Sequence, residues 1–239
     1  MYKTTKALVL REVQYREADK LLTVLTEDEG KLTVKAGGAL RKSCRYSAAS
    51  QAFSYSEMTL FGNRGRWSLN EAETIEQFLP LRAELGKLAL ATYFAEVLEA
   101  VADEDSPQPA LLQLGLNSLH ALSTLRWTPE HIKAVFELRC MCLAGYEPML
   151  DREGDWFSLR GGCFHAAGQS PGEPGLSLPA GTAARRAMAF IVSAPAKRIF
   201  SFSVPEEAQK QLAAICEQYV SAQLERGFST LDYWKTLRL

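Results

Sequence analysis

The apolar pattern of this chain changes texture once, at Pro80, and that change limits what it can fold into. Before it, short runs of β-branched and aliphatic residues alternate with turn residues. "KALVLREV" (Lys6–Val13) is one run, and "LLTVLTEDEGKLTVKAGG" holds two more, Leu21–Thr26 and Lys31–Lys35. The acidic turn Glu27–Gly30 joins that pair, which is a hairpin signature. "AFSYSEMTLF" (Ala52–Phe61) alternates, with Phe53, Tyr55 and Glu57 on one side and Ser54, Ser56 and Met58 on the other. The turn "GNRG" (Gly62–Gly65) leads into "RWSLNEAE" (Arg66–Glu73). Five short strands so closely spaced predict a small closed barrel such as the OB-fold. An SH3-like barrel or a small open sheet shares the pattern.

After Pro80 the period lengthens. Leu81, Leu85, Leu88, Thr92, Ala95 and Leu98 recur at spacings of three and four, which predicts an amphipathic helix over Leu81–Ala102. A second helix is expected at Ala110–Leu125, and a third after Thr128, an N-cap followed by Pro129 and Glu130. Gly145 ends the third. Residues 147–180 are rich in Gly, Pro and Ser, with one strand-like piece, Trp156–Leu159, before helices resume at Gly181–Ser193 and Pro205–Glu225. The expected plan is α+β and multidomain: a barrel over 1–79, then a helical domain over 80–239 carrying an irregular insertion.

Net charge is −1, so binding to a polyanion has to come from where charges sit rather than from their sum. Residues 1–78 hold 12 Lys and Arg against 10 Asp and Glu, a small excess that is concentrated in one place. "VKAGGALRKSCRY" (Val34–Tyr46) puts Lys35, Arg41, Lys42 and Arg45 around Gly37-Gly38 with no acidic residue among them. No apolar run approaches the ~20 residues of a membrane span. "MYKTTKALVL" lacks the pattern of a signal peptide, so a cytoplasmic protein with reduced thiols is expected.

Catalytic patterns are missing. The chain has no GxxxxGK[ST] loop, no GxGxxG after a strand and no GxSxG elbow, and its three histidines lack an evident nucleophile or orienting partner. His120 reads as an ordinary helix residue and His131 as a solvated one at a helix start. Cys140 and Cys142, two apart on a helix, point about 200° away from each other and cannot both face one ion. Cys163 and His165 in "GGCFH" are the one candidate metal pair, at CxH spacing rather than in the paired CxxC geometry of structural zinc.

The basic run follows a strand and lies between strands, where barrel loops present ligands. Its glycines permit close backbone approach, and Ser43 adds a neutral phosphate donor. Tyr46, Phe53, Tyr55, Phe61 and Trp67 are interleaved nearby, as in sequence-neutral single-strand binders. On these grounds alone nucleic-acid binding and a merely solvated loop weigh equally. Lys35, Arg41, Lys42 and Arg45 are the first candidates for phosphate contact, with Lys31 secondary. Arg185-Arg186 and Lys197-Arg198 form a possible second patch, and Arg126 and Arg139 are candidates for receiving an acidic peptide tail.

In the same order along the whole chain, the segments Ala7–Tyr46, Ala52–Glu73, "FELRCMCLAGYEPMLD" (Phe136–Asp151) and "LERGFSTLDYWKTL" resemble the bacterial RecO family of recombination mediators. The resemblance implies an N-terminal OB-fold, a helical bundle, and binding of single- and double-stranded DNA with annealing of complementary strands. It also implies recombinase loading with RecR and the single-stranded-DNA-binding protein as partners, in a cytoplasmic, nucleoid-associated setting. No enzymatic activity is implied, and the alternative is a protein–protein adaptor whose basic loop takes an acidic partner. Many relatives carry a four-cysteine zinc motif after Gly-Tyr-x-Pro. Here Arg152–Asp155 replaces its first pair and "GGCFHAAG" its second, so a degenerate, metal-free insertion held by packing is expected and no cofactor is expected.

Overall fold

A computed structural model describes residues 1–104, 106–124, 127–168 and 176–237. The chain forms two compact units, Met1–Ser123 with the chain end from Tyr233, and Thr124–Asp232.

The first unit is built on five strands, β1 (Tyr2–Tyr15), β2 (Asp19–Thr26), β3 (Gly30–Ala36), β4 (Tyr55–Asn63) and β5 (Arg66–Glu76). They close in the order β1-β2-β3-β5-β4, with β3 and β5 parallel and every other pair antiparallel. This is the five-stranded barrel that the spacing predicted, with OB-fold connectivity. Closure depends on β1. Its first half pairs with β4 from Tyr2↔Phe61 to Leu8↔Tyr55, and its second half pairs with β2 from Ala7↔Thr26 to Tyr15↔Asp19. The register slips between Val9 and Arg11, a bulge of the kind that bends a strand and increases its twist.

Ala7, Val9, Leu22, Val24, Val34, Ala36, Met58 and Leu60 fill the barrel interior. "ALVL" does not alternate because both faces of β1 are covered there: Leu8 and Leu10 are also buried. The outer cover comes from α1 (Leu85–Val101) and α2 (Pro109–Ser123). At Gly115 of α2 a Cβ would lie 3.0 Å from Leu98 of α1 and 3.4 Å from Leu8, so a side chain there would crowd both. Barrel and helices are also tied by polar contacts. Arg11 makes a two-pronged pair with Glu99, at 2.7 and 3.0 Å. The Lys31 ammonium donates to the Glu99 carbonyl at 2.8 Å, and its amide donates to the Asp103 carbonyl at 2.8 Å. Gly30, at φ 66°, turns directly beneath this junction, where a Cβ would fall 2.4 Å from the Ser106 carbonyl. No other residue fits.

Strands run longer than the sequence pattern suggested at both ends of the barrel, because Tyr2–Thr5 and Thr74–Glu76 carry polar residues that hide their strand character. Ala52–Ser54 is not strand. Phe53 sits there at φ 65° in a turn, and its ring is buried. The connection over 37–54 holds only turns.

The second unit contains α3 (Pro129–Leu143), α4 (Thr182–Ser193) and α5 (Glu206–Gln223), with a sheet of β6 (Trp156–Ser158), β7 (Cys163–His165) and β8 (Ser177–Pro179) in the order β7-β6-β8. A last helix, α6 (Ser229–Thr236), ends the described chain. Thr128 caps α3 as expected, accepting the His131 amide at 3.3 Å. Gly145, at φ 89°, ends it while the Tyr146 amide returns to the Met141 carbonyl at 2.8 Å. His131 is not solvated. It is 5% exposed, stacked on Trp127 and against Phe202, with Nδ1 3.1 Å from Gln209 Oε1. Burial pushes its pKa down, so the ring stays neutral.

The insertion is likewise more regular than expected. Phe157 and Phe164 are buried, and Phe157 meets Phe164 and Tyr219 edge to face at 5.3 and 5.4 Å. Gln223 of α5 donates to the Leu159 and Arg160 carbonyls at 2.8 and 3.1 Å. Arg185 of α4 donates to the Leu150 and Arg152 carbonyls and lies over the Phe164 ring at 4.7 Å. These side chains give the sheet its hold on the helices.

Helices α3 and α5 are joined through charge. Lys133, 2% exposed, donates to Glu137 at 2.9 Å and to Glu217 at 2.8 Å. Burial alone would lower the lysine pKa, but the two carboxylates outweigh it and hold it above its ordinary value. Removing the cation would take the Lys133 charge away from Glu137, which is wholly buried. Lys133→Met is therefore expected to destabilise the chain by about 3–5 kcal/mol in urea unfolding. A loss below about 1 kcal/mol, the range of exposed pairs, would contradict the network.

Candidate nucleic-acid interface

The basic run leaves β3 and enters the turns of residues 37–54. Its geometry is set by Asp19, the first residue of β2. Asp19 Oδ1 accepts the Gly38 amide at 2.7 Å and Oδ2 pairs with Lys35 at 2.9 Å, while the Leu40 amide donates to the Ala18 carbonyl at 3.0 Å. Gly38 adopts φ 69°, a left-handed conformation suited to glycine. The Tyr46 hydroxyl donates to the Gly37 carbonyl from the far side of the loop. The glycine pair thus turns the chain sharply about one carboxylate. The bond from Gly38, and then Lys35, hold the Asp19 pKa below the usual carboxylate range.

Lys35 is accordingly not an unneutralised charge, since its partner comes from another strand, upstream of the basic run. Lys31 stands apart as well, with its ammonium held at the Glu99 carbonyl. Arg41, Lys42 and Arg45 remain. All three are exposed, and among the described residues none closes an ion pair.

Arg41, Arg45 and Tyr46 form one wall of a cleft of about 560 Å³. The other wall, from the outer face of β4 and β5, carries Glu57, Glu71 and Glu73, none of which the sequence pattern marks as part of a site. Glu57 and Glu73 sit directly opposite each other in the β4–β5 register, and Glu71 opposes Thr59. Like charges in that position destabilise a strand pair. The cleft is therefore polarised, with cations on the loop and carboxylates on the sheet. Of the three loop cations, Lys42 does not line the cleft.

The aromatics divide cleanly. Phe53 is core and Tyr46 braces the loop, whereas Trp67 packs on the barrel core with its ring against Gly62. Phe61 is 37% exposed, in contact with Tyr2.

In the second unit, Arg185 is occupied by two carbonyls and the Phe164 ring, which removes it from the second patch, while Arg186, Lys197 and Arg198 are exposed. Arg139 Nη1 donates to the Ile191 and Val192 carbonyls at the end of α4, a helix-capping role. Arg126 lies outside the described residues. Cys163 and His165 do not fit a zinc site. His165 Nδ1 is 2.8 Å from the Ala166 carbonyl and Nε2 is 2.9 Å from Ser177 Oγ, so both ring nitrogens are engaged. The Arg152 guanidinium, a cation, lies 3.7 Å from Cys163 Sγ. Among the described residues no three His, Cys, Asp or Glu side chains converge as a metal would require.

Family models cover both parts of the chain. Residues 1–78 match the N-terminal model of recombination protein O, and residues 82–232 match the C-terminal model of the same protein. The chain belongs to the RecO family. The DNA repair protein RecO of Acetivibrio thermocellus is 31% identical over 99% of this chain and 97% of its own length. The DNA repair protein RecO of Symbiobacterium thermophilum is 30% identical over 97% and 96%, and that of Bacillus pumilus 29% over 90% and 86%. The N-terminal RecO match ends at residue 78, whereas packing groups α1 and α2 with the barrel. No helix among the described residues is long and apolar enough to cross a membrane.

Asp19 is the residue on which the loop's shape depends. Its folded pKa lies below its unfolded value of about 3.9, so its hold on the loop is complete above that value and is lost as pH falls through the lower folded one. Asp19→Ala should raise the exchange rate of the Gly38 amide at neutral pH without unfolding the barrel. An unchanged rate would show that the loop is shaped by something else.

Proposed function

We propose that this RecO-family chain is a DNA-binding recombination mediator in DNA repair, which binds single and double strands, anneals complementary strands and helps load the recombinase. The observation that carries the reading is the trio Arg41, Lys42 and Arg45, exposed and without ion pairs among the described residues, on a loop braced by Asp19 and Tyr46. A phosphate backbone is the ligand such a loop suits, because each contact releases condensed counterions and bracing lowers the ordering cost of binding. Two strands repel one another through their phosphates, and cations supplied to each reduce that repulsion during annealing. Arg186, Lys197 and Arg198 are the cations left in the second unit for another strand.

RecR and the single-stranded-DNA-binding protein are the partners this reading includes, by family membership. With Arg139 Nη1 turned to the end of α4, this reading builds the acceptor for an acidic tail from other cations. The reading uses no nucleotide hydrolysis and no metal. The acidic wall of Glu57, Glu71 and Glu73 faces the cations across the cleft and weakens phosphate binding there, for strands and acidic peptides alike.

Gel shifts across a salt series test the loop. Arg41→Ala with Lys42→Ala should weaken binding to unrelated sequences about equally and flatten the slope of log K against log salt by about 0.9 for each phosphate no longer neutralised. An unchanged affinity and slope in the double variant would remove the loop from the interface. Salt-independent binding of the parent would favour the adaptor reading.

A further inference from the structure

The hairpin joining β4 to β5 reads Phe61-Gly62-Asn63-Arg64-Gly65-Arg66-Trp67, aromatic residues flanking two arginines. Its turn has positive φ at both central residues, Arg64 at 49° and Gly65 at 74°, which matches the tight two-residue hairpin turns whose twist suits the flanking strands. Arg64 and Arg66 are exposed and close no ion pair among the described residues. Phe61 is 37% exposed and Tyr2 64%, with ring centroids 5.0 Å apart and planes tilted by 48°. The two rings make a small exposed aromatic patch beside the two arginines.

The register explains why the Phe61 ring is open. On its β1 side its cross-strand neighbour is Tyr2, and on its β5 side it is Ser68, too small to cover it. Ser68 is in turn the parallel partner of Lys35 on β3, the residue that begins the basic run. Tyr2, Phe61, Ser68 and Lys35 therefore form one lateral row across four strands on the outer face of the barrel. At about 4.8 Å per strand spacing the row spans roughly 14 Å. It connects the aromatic pair to the basic loop, with Arg64 and Arg66 beside the aromatic end.

Resting on the DNA-binding reading above, we propose that Tyr2 and Phe61 are a stacking platform for unpaired nucleobases, with Arg64 and Arg66 holding the adjoining phosphates. The arginines suit the phosphates of a strand and argue against an apolar segment as occupant. Base stacking is sequence-tolerant because every base has a flat face. It is open only to unpaired bases, since the faces inside a duplex are already stacked. The two grips differ in kind. The loop binds phosphates of either form, and the hairpin selects the single strand.

Affinity of the full chain for a single-stranded oligonucleotide and for its duplex, each across a salt series, tests this. Phe61→Ala should lower single-strand affinity roughly 5- to 100-fold, leaving duplex affinity and the salt slope unchanged. Phe61→Trp should restore the affinity and add a fluorescence quench, relative to the parent, on addition of single strand and not of duplex. The Trp variant also guards against a misfolded alanine variant. Equal loss for both forms, or no loss, or no quench in the Trp variant, would overturn the platform. If Arg41→Ala with Lys42→Ala weakens binding while Phe61→Ala does not, the platform falls and the DNA-binding reading stands. If the parent binds neither form, both fall.

Discussion

The bulge between Val9 and Arg11 lets a single strand serve both ends of the barrel, and the site depends on that closure. Because β1 pairs with β4 through its first half and β2 through its second, one strand joins the two sides of the sheet, and a two-residue parallel seam between β3 and β5 completes the barrel. Closure also fixes the lateral neighbours. It brings Tyr2 beside Phe61, and it places Asp19, at the start of β2, next to the glycines that follow β3. A slip of one residue in β1 would turn every side chain to the opposite face and separate these pairs.

Charge placement does most of the functional sorting. Of the cations in the barrel, several are held within the fold: Lys31 by a helix-end carbonyl, Lys35 by Asp19, and Arg11 by Glu99. Arg41, Lys42 and Arg45 on the loop and Arg64 and Arg66 at the hairpin tip close no ion pair among the described residues. Across the cleft the barrel keeps Glu57 directly opposite Glu73, a pairing that disfavours the sheet. A local cost kept at a site is the kind of exception that function commonly explains. In the second unit Arg185, Gln223 and Tyr219 reach carbonyls of the insertion and of the turn before it.

Much of this was legible in the sequence, for local reasons. Strand alternation, the acidic hairpin turn, the Thr128 cap and the Gly145 stop are all decided within a few residues, and the structure reproduces them. Whatever depends on a distant residue was not legible. The sequence around Lys35 does not show its carboxylate, which comes from another strand, and that around His131 does not show the cover that Trp127 and Phe202 give it through the fold. The acidic wall is not legible in the sequence because Glu57 and Glu73 lie on different strands and meet only through register. Arg185 and Arg186 are indistinguishable as text, but one turns inward over Phe164 and the other stays exposed.

The central claim is that the barrel's free cations bring two strands together without nucleotide. Annealing of complementary oligonucleotides coated with single-stranded-DNA-binding protein tests it most directly, followed with and without ATP. Acceleration by this chain that is independent of ATP and falls with salt is the predicted result. No acceleration, or acceleration that requires ATP, would contradict the account.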